Sequence, residues 1–236
     1  MKALVFALMA ALGNLVGAWA VIRHARRGLH VIEVFLALGA GFMLAVALVD
    51  MVPEAIARDS LAPAFILAGY LAVHLAQHVA VPHFHFGEET HHLSASAGVS
   101  ALIGLLLHTF FDGVAIASGF LVSPELGILL FIAVFLHKLP EGVAMASVIV
   151  STGQSAGRAV AAAGALGAAT VLGVLLTDVA APLRTHGLAI AAGVTLYVAA
   201  SNLVPEIQSR RGGWRMWVAF FVGAGSFFLA RMLVAG

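Results

Sequence analysis

The chain has 236 residues, 62% of them hydrophobic and only 10% charged, with a mean hydropathy of +1.06 and a formal net charge of +1. A soluble domain carries roughly a quarter charged residues, so a water-soluble globule is excluded and a lipid bilayer is the expected surroundings. No basic patch with interleaved aromatics suggests nucleic acid, and a chain without cysteine has no disulfide, thiolate metal site or iron–sulfur cluster.

Runs of about 20 apolar residues are long enough to cross a hydrocarbon core of roughly 30 Å. In chain order such runs fall at 3–21, 31–52, 62–81, 97–121, 126–150, 159–176, 188–204 and 214–234. The first has the look of a secretory signal, with Lys2 ahead of it and Ala18-Trp19-Ala20 as a small-residue cleavage site. Asn14 and Gly17 interrupt its apolar core, however, and Arg23, Arg26 and Arg27 follow, which favours a retained helix with its N-terminus outside. Turn signals separate the runs: Arg27-Gly28, Ser60 to Pro63, Pro82 to Thr90, Ser123-Pro124, Ser151 to Gly157, Pro182 to Gly187 and Arg210 to Gly213.

Lysine and arginine in the short loops set the orientation. The first, fifth and seventh breaks hold Arg23, Arg26, Arg27, Arg158, Arg210, Arg211 and Arg215, against Lys2, Arg58, Arg184 and Arg231 on the other side. Both termini are therefore expected outside, in a multi-pass protein of the plasma or inner membrane. The expected fold is all-α, a single eight-helix transmembrane domain over residues 1–236 with a His-bearing cytoplasmic loop at about 82–96. Small residues such as Gly39-Ala40-Gly41 and the run from Ala161 to Ala169 permit close helix contact.

An internal repeat joins the fourth and fifth runs. His108-Thr-Phe-Phe-Asp112-Gly-Val-Ala-Ile-Ala-Ser118 is matched by His137-Lys-Leu-Pro-Glu141-Gly-Val-Ala-Met-Ala-Ser147. A second echo pairs Asp50-Met-Val-Pro53-Glu54 with Asn202-Leu-Val-Pro205-Glu206, at opposite membrane faces. Both suggest inverted-topology repeats, with a substrate site near the midplane on interrupted helices. Pro140 and the glycines after each carboxylate are expected to weaken the helices there.

His and Asp or Glu four residues apart project from one helix face. Two antiparallel helices so equipped bring two imidazoles and two carboxylates together, a donor set suited to zinc, ferrous iron, manganese and similar divalent ions. Ionisable groups at membrane depth are expensive, and each is a functional hypothesis by default. Three other readings remain open from these residues: an intramembrane metal-dependent hydrolase, a haem-binding electron-transfer protein with His108 and His137 as axial ligands, and a proton-coupled carrier of organic solutes.

His108-x-x-x-Asp112-Gly and His137-x-x-Pro140-Glu141-Gly, the eight-span layout and the His-bearing third loop resemble the ZIP family of zinc- and iron-regulated transporters, of bacterial type. The resemblance implies a carrier moving a divalent ion, Zn2+ first and Fe2+, Mn2+ or Cd2+ after it, toward the cytoplasm by alternating access of a four-helix unit. It has no prosthetic group, and its ligands are His108, Asp112, His137 and Glu141, with Met43 as a further ligand from the second span. It also implies an ion entering and leaving past Asp50, Glu54, Asn202 and Glu206. Two departures stand out. Thr109 and Lys138 follow the motif histidines where family members with a two-metal centre often carry another ligand. The Lys138 ammonium is expected to take the place of a second cation, leaving one metal. Ser201-Asn202 stands where many relatives carry His-Glu. The loop residues His83, His85, His91 and His92, with Glu88 and Glu89, are expected to hold ions loosely on the cytoplasmic side. The partners expected are the metal ion, the bilayer and a second copy of the chain.

Overall fold

The computed structural model describes residues 2–24, 29–79, 95–209 and 214–235. All secondary structure within them is helical. The elements are α1 (Lys2–His24), α2 (Leu29–Val46), π1 (Ala47–Met51), α3 (Val52–Arg58), α4 (Ala62–Val79), α5 (Ala95–Val122), α6 (Pro124–Ser151), α7 (Ala156–Val179), α8 (Ala181–Leu196), π2 (Tyr197–Leu203), α9 (Val204–Ser209) and α10 (Trp214–Ala235). Two sets join end to end, α2–π1–α3 and α8–π2–α9, each forming one long bent rod. Among the described residues seven helices are long and apolar enough to cross a membrane, and the apolar stretch of α4, Ala62–Gln77, falls short of that length.

The breaks are tighter than the sequence suggests. One extended residue, Ser123, separates α5 from α6; its hydroxyl accepts the Leu126 N–H at 3.1 Å, and Pro124 opens the next helix. Ala180 alone separates α7 from α8. The expected turn from Pro182 to Gly187 is therefore helix, because a proline in the first turn gives up an N–H that has no intrahelical partner anyway.

The expected interruption of the two repeat helices does not occur. α6 runs unbroken through Pro140, and α5 through Gly113. The departures from α geometry lie instead before Pro53 and Pro205, in the second echo. There Val52 N–H bonds to Ala47 O and Val204 N–H to Ala199 O, five residues back in each case. A proline ring crowds the carbonyl four residues earlier, and widening the preceding turn removes the clash.

Glycines set the helix contacts in reciprocal pairs. A methyl group on Gly17 of α1 would overlap the Leu139 carbonyl of α6, and one on Gly142 of α6 would overlap the Asn14 carbonyl of α1. The same mutual approach joins α2 to α10 (Gly41, Gly223), α4 to α8 (Gly69, Gly193) and α5 to α7 (Gly113, Gly173). Lipid tails are as apolar as leucine, so helices associate through such close backbone contact. Leucines and phenylalanines accordingly point outward, among them Leu12, Leu75, Phe221 and Leu233. The first span is one of these packed helices, with Gly17 in its contact with α6.

Candidate metal site

The repeat helices α5 and α6 lie side by side and present their motif faces to each other. His108 and Asp112 come from α5, one turn apart, and His137 and Glu141 from α6 with the same spacing. All four are at most 4% exposed. One ligand atom from each lies within 4.8 Å of the others.

The hydrogen bonds fix how His137 is poised. Its Nδ1 is 2.8 Å from the Ala133 carbonyl oxygen. A carbonyl only accepts, so Nδ1 carries a proton. Nε2 then faces Asp112 Oδ2 at 3.2 Å, with His108 Nε2 3.5 Å from the same oxygen. Two more buried polar atoms, His108 Nδ1 and Glu141 Oε1, have no hydrogen-bond partner. The donor set, two imidazole nitrogens and two carboxylates, suits a borderline divalent ion.

Lys138 lies inside this constellation. Its ammonium donates to Asp112 Oδ2 at 2.7 Å and to Glu141 Oε2 at 2.8 Å, and the side chain is fully buried. Two carboxylates and one ammonium leave a formal charge of −1, which suits the site to receive a cation. Thr109 directs its hydroxyl to the Leu106 carbonyl of its own helix at 3.1 Å.

Other residues singled out in the sequence lie elsewhere. Met43 is buried on α2; a Cβ on Gly39, one turn before it, would lie 3.5 Å from the His137 backbone nitrogen, so Met43 belongs to the face that α2 turns to α6. Asp50 lies in π1 and pairs with Arg231 of α10 at 3.2 Å, while Glu54 pairs with Arg58 a turn later. Glu206 is buried on α9 and Asn202 half-buried in π2. Beside Asn202, Ser201 Oγ meets Tyr70 Oη at 2.8 Å. His83, His85, His91 and His92 lie outside the described residues.

Sequence reasoning overlooked one ion pair. Asp59, in the turn before α4, meets His186 Nδ1 of α8 at 2.5 Å, and Phe65 stacks on the imidazole at 4.0 Å. The Asp59 carboxyl is held below its usual range, first by the Leu61 N–H at 2.9 Å and then by His186. Reading 182–187 as a turn concealed the helix that carries this histidine.

The family Zip, described as ZIP Zinc transporter, matches residues 73–231, more than half of the chain. The chain belongs to the ZIP family. All four residues of the buried cluster fall inside the matched stretch. No curated protein matches the chain. As a ZIP family member it is a membrane metal transporter and not an enzyme, which sets the hydrolase reading aside. In ZIP terms the site is a His/Asp/His/Glu cluster spanning two membrane helices.

Proposed function

We propose that this ZIP protein carries one divalent ion at a time toward the cytoplasm, zinc before iron, manganese or cadmium, with His108, Asp112, His137 and Glu141 as ligands. The observation that carries the reading is the convergence of these four side chains within 4.8 Å in a buried site. Lys138 is the resident cation in place of a second metal, and its two short ion pairs support that role. Met43 completes the ligand set from α2. A thioether is a soft, weak ligand, adding reach without adding charge.

The transport movement is an alternating exposure of one group of helices against another. Each of the four reciprocal glycine contacts stays within one side of a division into α1, α5, α6 and α7 against α2–π1–α3, α4, α8–π2–α9 and α10. They also support inverted repeats of eight spans, with α4 counted as the third. Relating α1 to α7, α2–π1–α3 to α8–π2–α9, α4 to α10 and α5 to α6 exchanges the four glycine contacts in pairs. It also exchanges the two wide turns. The two histidines and two carboxylates belong to the first group and would travel with it, whereas Met43 belongs to the second.

Arginine placement supports outside termini in a plasma or inner membrane. The ion passes Asp50 and Glu54 on the outer side and Asn202 and Glu206 on the inner side, where His83, His85, His91 and His92 receive it. Transport is passive or coupled to another ion, since no nucleotide-binding motif is present. A pair of copies in the membrane is compatible with the lipid-facing apolar surface.

Zinc uptake into proteoliposomes, compared among wild type, His137→Ala and Glu141→Ala, tests the reading. Uptake lost in both folded variants is the expected result. Equal uptake in all three would remove α6 from the pathway.

A further inference from the structure

The amide of Asn14, on α1, is fully buried, and neither its oxygen nor its nitrogen has a hydrogen-bond partner. A buried amide left unpaired costs on the order of 1–3 kcal/mol, so the residue needs a reason beyond packing. Its position supplies one. Ala10, one turn earlier on α1, packs in the groove between Ile116 of α5 and Val134 of α6. Moving one turn along brings α1 to Asn14, α5 back to Asp112 and α6 forward to Lys138. The backbone contacts agree: a Cβ on Gly13 would lie 3.1 Å from Lys138 Cβ, and one on Gly142 would overlap the Asn14 carbonyl.

The unused hydrogen-bonding groups at this level are complementary. Lys138 has three N–H donors and spends two, on Asp112 and Glu141. Glu141 Oε1 is an acceptor with no donor. Asn14 offers one acceptor and two donors. We propose that Asn14 is a positioning residue of the ion site: through buried water, its carbonyl oxygen takes the third N–H of Lys138 and its amide nitrogen serves Glu141 Oε1. A water at such a place has the two to four polar partners it needs. The inference rests on the reading of Lys138 and Glu141 as parts of the ion site.

The consequence concerns release more than capture. Asn14 stabilises the metal-free arrangement, in which Glu141 is turned to Lys138 and not to an ion. Removing it makes the metal-free state less favourable, so zinc is held more tightly and leaves more slowly. A residue that merely fills space would lower stability or rate without tightening zinc.

Purified full-length protein is titrated with zinc against a fluorescent chelator, and uptake is measured in proteoliposomes. Asn14→Leu, with the same side-chain branching and heavy-atom count, is expected to bind zinc about tenfold more tightly than wild type and to show a lower maximal uptake. Asn14→Thr, which keeps a donor and an acceptor, is expected to stay within about twofold of wild type. These changes correspond to the loss of one hydrogen bond to a charged group. In a Lys138→Met background, Asn14→Leu is expected to add much less, since only its interaction with Glu141 remains to be lost. Should Asn14→Leu fail to fold, Asn14→Asp carries the same test, since losing the donor to Glu141 and adding an anion also tightens zinc. Folded Asn14→Leu or Asn14→Asp with wild-type zinc affinity, or an Asn14→Leu effect that persists in full beside Lys138→Met, overturns the inference alone. Wild type that neither binds nor transports zinc overturns the transport reading and this inference with it.

Discussion

Lys138→Met is the substitution with the most to reveal, because it removes the buried ammonium that we propose stands in for a second metal. The ammonium lies 2.7 Å from Asp112 Oδ2, and a zinc–oxygen bond is about 2.0–2.2 Å. Nitrogen and ion are then at most about 4.9 Å apart. At an effective dielectric constant of ~20, a single and a double positive charge at that distance repel by about 7 kcal/mol. Most of this is offset without Lys138, because the freed carboxylates relax and take up a proton that zinc must displace. A net gain of about 1.4–3 kcal/mol is expected, or tenfold to hundredfold tighter zinc binding. Without zinc the variant loses stability, on the order of 3–5 kcal/mol, as the partner of two buried carboxylates disappears. Chelator competition reads the affinity, melting with and without zinc reads the stability, and proteoliposome uptake reads release. Tight binding with slow uptake, and a larger zinc-induced rise in melting temperature than wild type shows, is the expected pattern. Unchanged or weaker zinc affinity in a folded variant would refute the role of Lys138 as resident cation.

Zinc affinity of the wild type is expected to fall on acidification, since protons compete with the ion for imidazole and carboxylate ligands; an affinity that acid leaves unchanged would count against that ligand set. Gly193→Ala, whose methyl would meet the Ile66 carbonyl, is expected to lower the melting temperature in detergent. That overpacking costs about 1–3 kcal/mol, whereas Gly225→Ala, with open space around it, leaves the melting temperature unchanged or higher. Asp59→Asn is expected to destabilise at neutral pH, because a depressed carboxyl contributes stability above its unfolded pKa near 3.9 and loses it as pH falls through the folded value. The melting difference from wild type should therefore shrink in acid; a difference independent of pH would assign the effect to lost geometry instead.

The spacing of His108, Asp112, His137 and Glu141 made the ion site legible, because one turn of helix separates each pair and repetition implied that the two faces meet. The apolar runs likewise revealed most spans. What stayed hidden depended on partners distant in sequence. Asn14 in the first span reads as a polar interruption until α6 is laid against it. Asp59 and His186 are 127 residues apart and meet only because α8 begins at Ala181. Proline misled for a physical reason: its missing N–H opens a helix at Pro182, is accommodated within α6 at Pro140, and widens the preceding turn at Pro53 and Pro205. Which of these occurs is decided by neighbouring helices more than by local sequence.

The two wide turns act as phase shifters. Holding one residue more than a regular turn, each rotates everything beyond it by about 100° relative to an uninterrupted helix. Glu54 and Glu206 therefore face directions that no helical wheel drawn from the start of their rods would give. Deleting a single residue within 47–51 or 197–203 would restore the regular pitch and swing the glutamate to another side of the rod. A substitution at the glutamate itself changes its chemistry, whereas such a deletion changes its bearing and leaves the composition of that end of the rod almost untouched.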